Sequence, residues 1–166
     1  MSEHILRCEM AAAVPLKEAF AFFENPGNLA KITPPWLNFR IETPQVEIRG
    51  GAVIDYTIRW MGLPMRWRTL ITDYEPPFRF VDVQTRGPYA MWRHEHSFRE
   101  TPGGTVVADE VRYRLPLGPL GRLANWLLVR RQLEGIFRFR QAAIAKLLGS
   151  AESEQELADH GADAGH

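Results

Sequence analysis

Between Val53 and Leu115 closely spaced turn signals cut the chain into short segments, and this limits the possible folds more than any other feature. The strand candidates are Val53–Trp60, Met65–Tyr74, Arg79–Thr85, Met91–Glu100 and Thr105–Leu115, with Phe39–Glu42 ahead of them. The separators are Gly50-Gly51, Gly62-Leu63-Pro64, Pro76-Pro77, Gly87-Pro88 and Pro102-Gly103-Gly104. Links this short join antiparallel neighbours, because a parallel connection needs a crossover of about a dozen residues or more. The segment therefore predicts a six-strand antiparallel meander.

The flanks complete the pattern. Ile5 to Met10 reads as a first strand. Pro15 opens a helix that runs to Phe23, since proline suits a first helical turn. Asn25-Pro26 caps a second short helix, Gly27 to Ile32, which Thr33-Pro34-Pro35 ends. After Pro116-Leu117-Gly118-Pro119 the spacing of Leu120, Leu123, Leu127, Leu133, Phe137, Ile144 and Leu148 predicts one long helix from Leu120 to Leu148. At 1.5 Å per residue it would be about 43 Å long. A twisted sheet curling around it would bury its apolar stripe. Gly149 ends the helix. Residues 1–149 are expected to form one α+β domain, and the acidic, small-residue stretch 150–166 a disordered tail.

Composition removes several classes of function. Twenty basic and 20 acidic residues give a net charge of +0, so no global field favours nucleic acid. The lone Cys8 excludes an intrachain disulfide and a multi-cysteine zinc site. No apolar run approaches the roughly 20 residues that span a bilayer, so stable membrane insertion is not expected. The first residues lack the basic-then-apolar pattern of a signal peptide. A cytoplasmic protein is expected.

The segment Met91–Phe98 carries the functional signal. Alternation puts Trp92, His94, His96 and Phe98 on one face and Arg93, Glu95 and Ser97 on the other. Two aromatics with two histidines are too apolar for a wet surface and too polar for an ordinary core, which suits the lining of a small-molecule cavity. Extending the alternation to neighbouring strands gives an inward set of Tyr56, Trp60, Trp67, Thr69, Asp82, Gln84, Trp92, His94, His96, Asp109 and Tyr113. Strands 79–85 and 91–100 follow one another, so their pairing would bring Asp82 near one of the histidines unless a bulge intervenes.

The order strand, two short helices, six strands, long helix resembles the helix-grip fold of the START/Bet v 1-like (SRPBCC) superfamily, which includes polyketide cyclase/dehydrase-like proteins. The likeness is carried by Pro15…Phe20-Ala21-Phe22-Phe23, Asn25-Pro26-Gly27-Asn28-Leu29 with Thr33-Pro34-Pro35, and the terminal helix. Pro34-Pro35-Trp36-Leu37-Asn38-Phe39, Phe80-Val81-Asp82 and Gly87-Pro88-Tyr89 with Trp92-Arg93-His94 are similar to a bacterial subgroup of SRPBCC proteins. The resemblance implies a curved antiparallel sheet wrapped around the C-terminal helix, with a hydrophobic ligand between them. It also implies two loops at the cavity mouth, Gly62-Leu63-Pro64 and Gly87-Pro88-Tyr89, at the places of the gate and latch of plant hormone receptors of this fold. The second loop does not match their latch sequence, so the receptor function does not carry over.

Three readings of the inward polar residues stay open. Asp82, Gln84, His94, His96 and Asp109 could form a satisfied buried network that holds the sheet. They could instead orient the polar end of an apolar ligand, with a His–Asp pair available as general acid/base. Or His94 and His96 could hold a metal with Asp82 or Asp109 as third ligand. Helix-grip proteins are mostly metal-free, so no metal or cofactor is expected. The leading expectation is a carrier for a lipid, polyketide or aromatic molecule. His94, His96, Asp82 and Gln84 would hold its polar end. Trp60, Trp67, Trp92 and Tyr113 would enclose its body, and Trp126 with its neighbours would help close the cavity. A cyclase/dehydratase using His94, His96 and Asp82 is the alternative, and an interaction module without a ligand a third. Arg130, Arg131, Arg138 and Arg140 read as a solvated basic edge.

Overall fold

The computed structural model describes residues 3–60 and 62–149. The stretch 150–166, read as a tail, lies outside the described residues. Strand β1 (His4–Ala12) leads into helix α1 (Leu16–Glu24) and the short helix α2 (Pro26–Leu29). Then come β2 (Arg40–Ile41), β3 (Val53–Trp60), β4 (Leu63–Glu75), β5 (Arg79–Arg86), β6 (Met91–Thr101) and β7 (Gly104–Arg114). Helix α3 (Gly118–Ala124), a π-helical turn (Asn125–Val129) and helix α4 (Arg130–Leu148) close the chain. All pairings are antiparallel, and the seven strands lie in the order β1-β7-β6-β5-β4-β3-β2. The meander runs in sequence order from β7 back to β2, and β1 closes onto β7. The sheet is curved, with the long C-terminal helix against it, as the resemblance implied.

Local chemistry explains the elements. Pro15 stands one residue ahead of α1, in extended geometry, rather than inside its first turn. The Asn25 side chain accepts a 2.9 Å hydrogen bond from the Gly27 N–H and so caps α2, which ends at Leu29 instead of Ile32. The terminal helix differs more from expectation. It begins at Gly118, and the π-helical turn interrupts it where a single uniform helix was expected. Its apolar stripe is buried only in its later part, at Leu133, Phe137 and Ile144. Leu120, Leu123 and Leu127 are exposed, because here the helix borders a cavity to which it contributes Leu120, Gly121 and Ala124.

The core falls into two apolar clusters. One gathers Phe20 and Phe23 of α1 with Ile54, Ile71, Phe80, Phe98 and Ile144. The other gathers Val111 and Tyr113 of β7 with Val129, Leu133 and Phe137. Burying such side chains is worth about 1.5–3 kcal/mol each. Among the inward-facing residues of β5, β6 and β7, the polar ones, Asp82, His94, His96 and Asp109, lie between the two clusters.

Candidate functional site: a cavity floored by a histidine–carboxylate cluster

Register sets up the cluster. Across β5 and β6, Asp82 is directly opposite His94 and Phe80 is opposite His96. Across β6 and β7, Val111 is opposite His94 and Asp109 is opposite His96. Both histidines therefore point inward between two carboxylates. Irregularities do occur in the sheet, but they fall between β4 and β5, next to Thr69 and Asp73, and leave the β5–β6 register intact.

The side chains interlock. Asp109 Oδ1 lies 3.0 Å from His94 Nε2 and 2.7 Å from His96 Nδ1. Asp82 Oδ2 lies 3.3 Å from His96 Nε2 and 3.6 Å from His94 Nδ1. The Thr69 hydroxyl is 3.0 Å from the other oxygen of Asp82. The imidazole rings of His94 and His96 are 3.8 Å apart, and His96 stacks on Phe80 at 4.3 Å. Behind them Arg140 Nε is 3.4 Å from Asp109 Oδ2, and its guanidinium lies 5.4 Å over the Phe23 ring.

Burial and charge set the protonation states. Burial works against the Asp109 carboxylate, but Arg140, His96 and His94 overcome it and hold the carboxyl well below its usual range. Asp82 behaves alike, with burial outweighed by His96, His94 and Thr69. His94 is pushed down by burial and by the charge of His96. Burial also opposes a charge on His96, but Asp109 and Asp82 raise its pKa. The favoured state has two carboxylates, one guanidinium and one imidazolium, with His94 neutral. Its net charge is zero, the condition under which ionised groups tolerate burial.

The cluster forms part of the wall of a cavity of about 450 Å³. Thr69, Asp82, His94, His96 and Arg140 line it on the polar side, and Thr33, whose hydroxyl bonds the Leu29 carbonyl, lines it apart from them. Ile54, Tyr56, Ile58, Trp60, Trp67, Ile71 and Trp92 line it from the sheet, and Val129, Leu133 and Phe137 from the helix. Trp67 packs against Tyr56, Tyr89 and Trp92, with ring centres 5.2 to 5.8 Å apart. Its indole N–H is buried without a hydrogen-bond partner. Burial raises the pKa of the Tyr56 hydroxyl, which therefore stays neutral.

The remaining expected site residues take other positions. Gln84 does not line the cavity. Its side chain is paired with the backbone N–H and carbonyl of Tyr89 at 3.3 and 2.8 Å, so it fastens the β5–β6 loop. That loop contributes Pro88 and Tyr89 to the lining, while Gly87 backs onto Gln84. Gly62, with φ +82, lies in the β3–β4 turn, Leu63 and Pro64 begin β4, and all three are exposed and are not lining residues. Asp109 sits behind the histidines with no side-chain exposure. Tyr113 is buried against Tyr89 and Trp92. Trp126 does not close the cavity: it lies in the π-helical turn, is 73% exposed, and leaves that role to Val129.

Arg140 does not belong to the solvated edge expected for it. Its side chain is only 12% exposed, and it carries the charge opposite Asp109. The spacing holds a signal for this, because Leu133, Phe137, Arg140 and Ile144 follow one another at helical intervals on one stripe. Arg130 and Arg138 do face solvent.

No protein-family model matches the chain, and no curated protein matches it. Solved structures do. A protein from Chromobacterium violaceum superimposes with a TM-score of 0.66 at 14% identity, over 87% of this chain and 96% of the other. Ara h 8.0201 gives 0.59 at 16% identity, over 87% and 99%. A protein from Thermus thermophilus gives 0.60 at 15% identity, over 88% and 99%. Identities this low speak to the fold, and the fold is the Bet v 1-like helix-grip arrangement that the order of elements predicted.

Proposed function

We propose that this chain binds and carries a small hydrophobic molecule with one polar end, of the lipid, polyketide or aromatic class. The observation that carries the reading is the cavity itself. The sheet and helix leave about 450 Å³ between them, within the size range of small-molecule sites of about 300–1,000 Å³. The walls are mostly aliphatic and aromatic, and the charged and imidazole lining side chains His94, His96, Asp82 and Arg140 belong, with Thr69, to one connected cluster. An apolar body fits among Tyr56, Trp60, Trp67 and Trp92, and a hydroxyl or carbonyl fits at the cluster. On this reading the carrier works in the cytoplasm. No described helix is long and apolar enough to cross a membrane.

The test is native mass spectrometry of freshly purified protein against its denatured mass. A discrete excess of a few hundred daltons, lost when Ile58→Trp fills the cavity, supports the carrier. Absence of any excess, together with failure of an apolar fluorescent probe to bind, overturns it.

One observation favours a second reading, an enzyme of the cyclase or dehydratase type. His94 is held neutral beside Asp109, in the state a general base requires, and it lines the cavity. On that reading His94→Ala abolishes turnover while binding survives. Equal loss of both argues for binding alone.

A further inference from the structure

The geometry of the histidine–carboxylate cluster points to a divalent metal site formed by Asp82, His94 and His96, with zinc(II) the ion that best matches its donors. The three residues each offer a donor atom, and these atoms lie within 4.8 Å of one another. The facing pairs are His96 Nε2 to Asp82 Oδ2 at 3.3 Å and His94 Nδ1 to the same oxygen at 3.6 Å. Donors held at about 2.0–2.1 Å around a tetrahedral ion stand about 3.3–3.4 Å apart. The two histidine–carboxylate separations bracket that edge length, and the third edge, between the two imidazole nitrogens, is within 4.8 Å, so the donors close on an ion by side-chain rotation.

The surroundings supply what a metal site needs beyond its donors. Asp109 Oδ1 is hydrogen-bonded to His94 Nε2 at 3.0 Å and lies 2.7 Å from His96 Nδ1, a close charge contact without hydrogen-bond geometry. Protons on those nitrogens leave lone pairs on His94 Nδ1 and His96 Nε2, both turned toward Asp82. The Thr69 hydroxyl bonds the other Asp82 oxygen, and Arg140 faces the other Asp109 oxygen as an ion pair at 3.4 Å. His94 and Asp82 are thus each oriented by a hydrogen-bonded partner, the pattern by which proteins fix metal-binding side chains, and His96 lies against the Asp109 charge. Two lone pairs and a carboxylate converging on one point require a cation between them. A proton on one imidazole meets that need when the metal is absent, and zinc meets it by displacing the proton. All three donors line the cavity, so the fourth position opens toward the polar end of a bound molecule. This last point rests on the carrier reading; the metal site does not.

The experiment uses the full chain, stripped with chelator and dialysed, then loaded with Zn2+ and measured by native mass spectrometry and metal analysis. One zinc per chain is expected. His94→Ala and His96→Ala should each lose it, and Thr69→Val should weaken it roughly tenfold by freeing the Asp82 carboxylate. Titration in buffers of different ionisation heat should show proton release on binding. If the variants fold poorly, Co2+ on the parent protein replaces them: visible bands of the intensity of a four-coordinate ion are expected. Substoichiometric zinc overturns the site, as does zinc retained equally by both histidine variants, and as does a Co2+ spectrum of the six-coordinate hydrated kind. Binding of an apolar fluorescent probe by the chelated protein is measured alongside. Its persistence without metal uptake sinks the metal site and leaves the carrier standing.

Discussion

Asp109→Asn should destabilise the fold far more than loss of one hydrogen bond would. The side chain has no exposure and faces Arg140 at 3.4 Å, His94 at 3.0 Å and His96 at 2.7 Å. Asparagine keeps the shape and removes the charge. His96 can then release its proton, but Arg140 cannot, because a guanidinium does not deprotonate in proteins. Its side chain is 12% exposed, so its positive charge is left almost dry. Breaking a buried pair in this way costs about 3–5 kcal/mol. That is a large share of the roughly 5–15 kcal/mol that holds a domain together. The midpoint of thermal unfolding should fall by on the order of 10 °C. The double variant Asp109→Asn, Arg140→Met removes both charges and should recover much of the loss, with a coupling of about 2 kcal/mol in a double-mutant cycle. Urea unfolding of the four proteins at pH 7 measures this. A single variant within 1 kcal/mol of the parent would refute the reasoning, and so would strictly additive losses.

Three further outcomes can be checked on the same preparations. The raised pKa of His96 means its charge stabilises the fold fully below about 6.5 and ceases to do so as pH rises through the higher folded value. Asp82 and Asp109, both lowered from 3.8, act at the other end, with stability lost as pH falls through their folded values. Urea stability of the parent should therefore decline on the alkaline side of 6.5 in a step that His96→Gln lacks; a parent curve that rises there contradicts the assignment. Ile58→Trp should leave the thermal midpoint within a few degrees, since it enters open cavity rather than the packed interior where such growth costs about 1–3 kcal/mol. A large drop would mean the cavity is not available space. Cys8, half-buried and pushed up to about 11 by burial and by Asp109, should react with an aromatic disulfide at pH 8 roughly tenfold more slowly than in urea. Equal rates would show the thiol to be free of both influences.

Much of the sheet could be read in advance because strands repeat every two residues. Val53–Trp60 has the expected bounds, and the inward positions of Asp82, His94, His96 and Asp109 follow from alternation alone. Their meeting required register as well, and the β5–β6 pairing supplied it without a bulge. The helix was less legible. Nothing in the spacing of Leu120, Leu123 and Leu127 distinguishes a stripe that meets the sheet from one left exposed beside a cavity. Composition also favoured a wet role for Arg140, since arginine is seldom buried without a partner. The partner, Asp109, stands 31 positions earlier on another element, and only the packed structure brings the two together. Gln84 shows the complementary limit: it lies on the expected strand, yet its amide reaches the Tyr89 backbone and turns away from the ligand space.

The polar cluster is both a seam in the core and a wall of the cavity, and these roles make opposite demands. As a seam it joins Phe80 of one apolar cluster, stacked on His96 at 4.3 Å, to Phe137 of the other, 5.7 Å from His94. An apolar replacement of equal volume would serve a seam as well or better, because buried ion pairs barely repay their desolvation. As a wall it needs the charges, since only they can recognise a polar end or hold an ion. The two roles separate under titration. If the cluster is chiefly a seam, the pH step in stability should be unchanged when an apolar probe occupies the cavity. If it is a working wall, the bound probe's polar end must favour one protonation state, and linkage then requires affinity to change across the same pH interval by the factor that the step shifts. Affinity and stability measured together from pH 5 to 9 decide between them, and a flat affinity profile beside a steep stability profile would leave the cluster a seam alone.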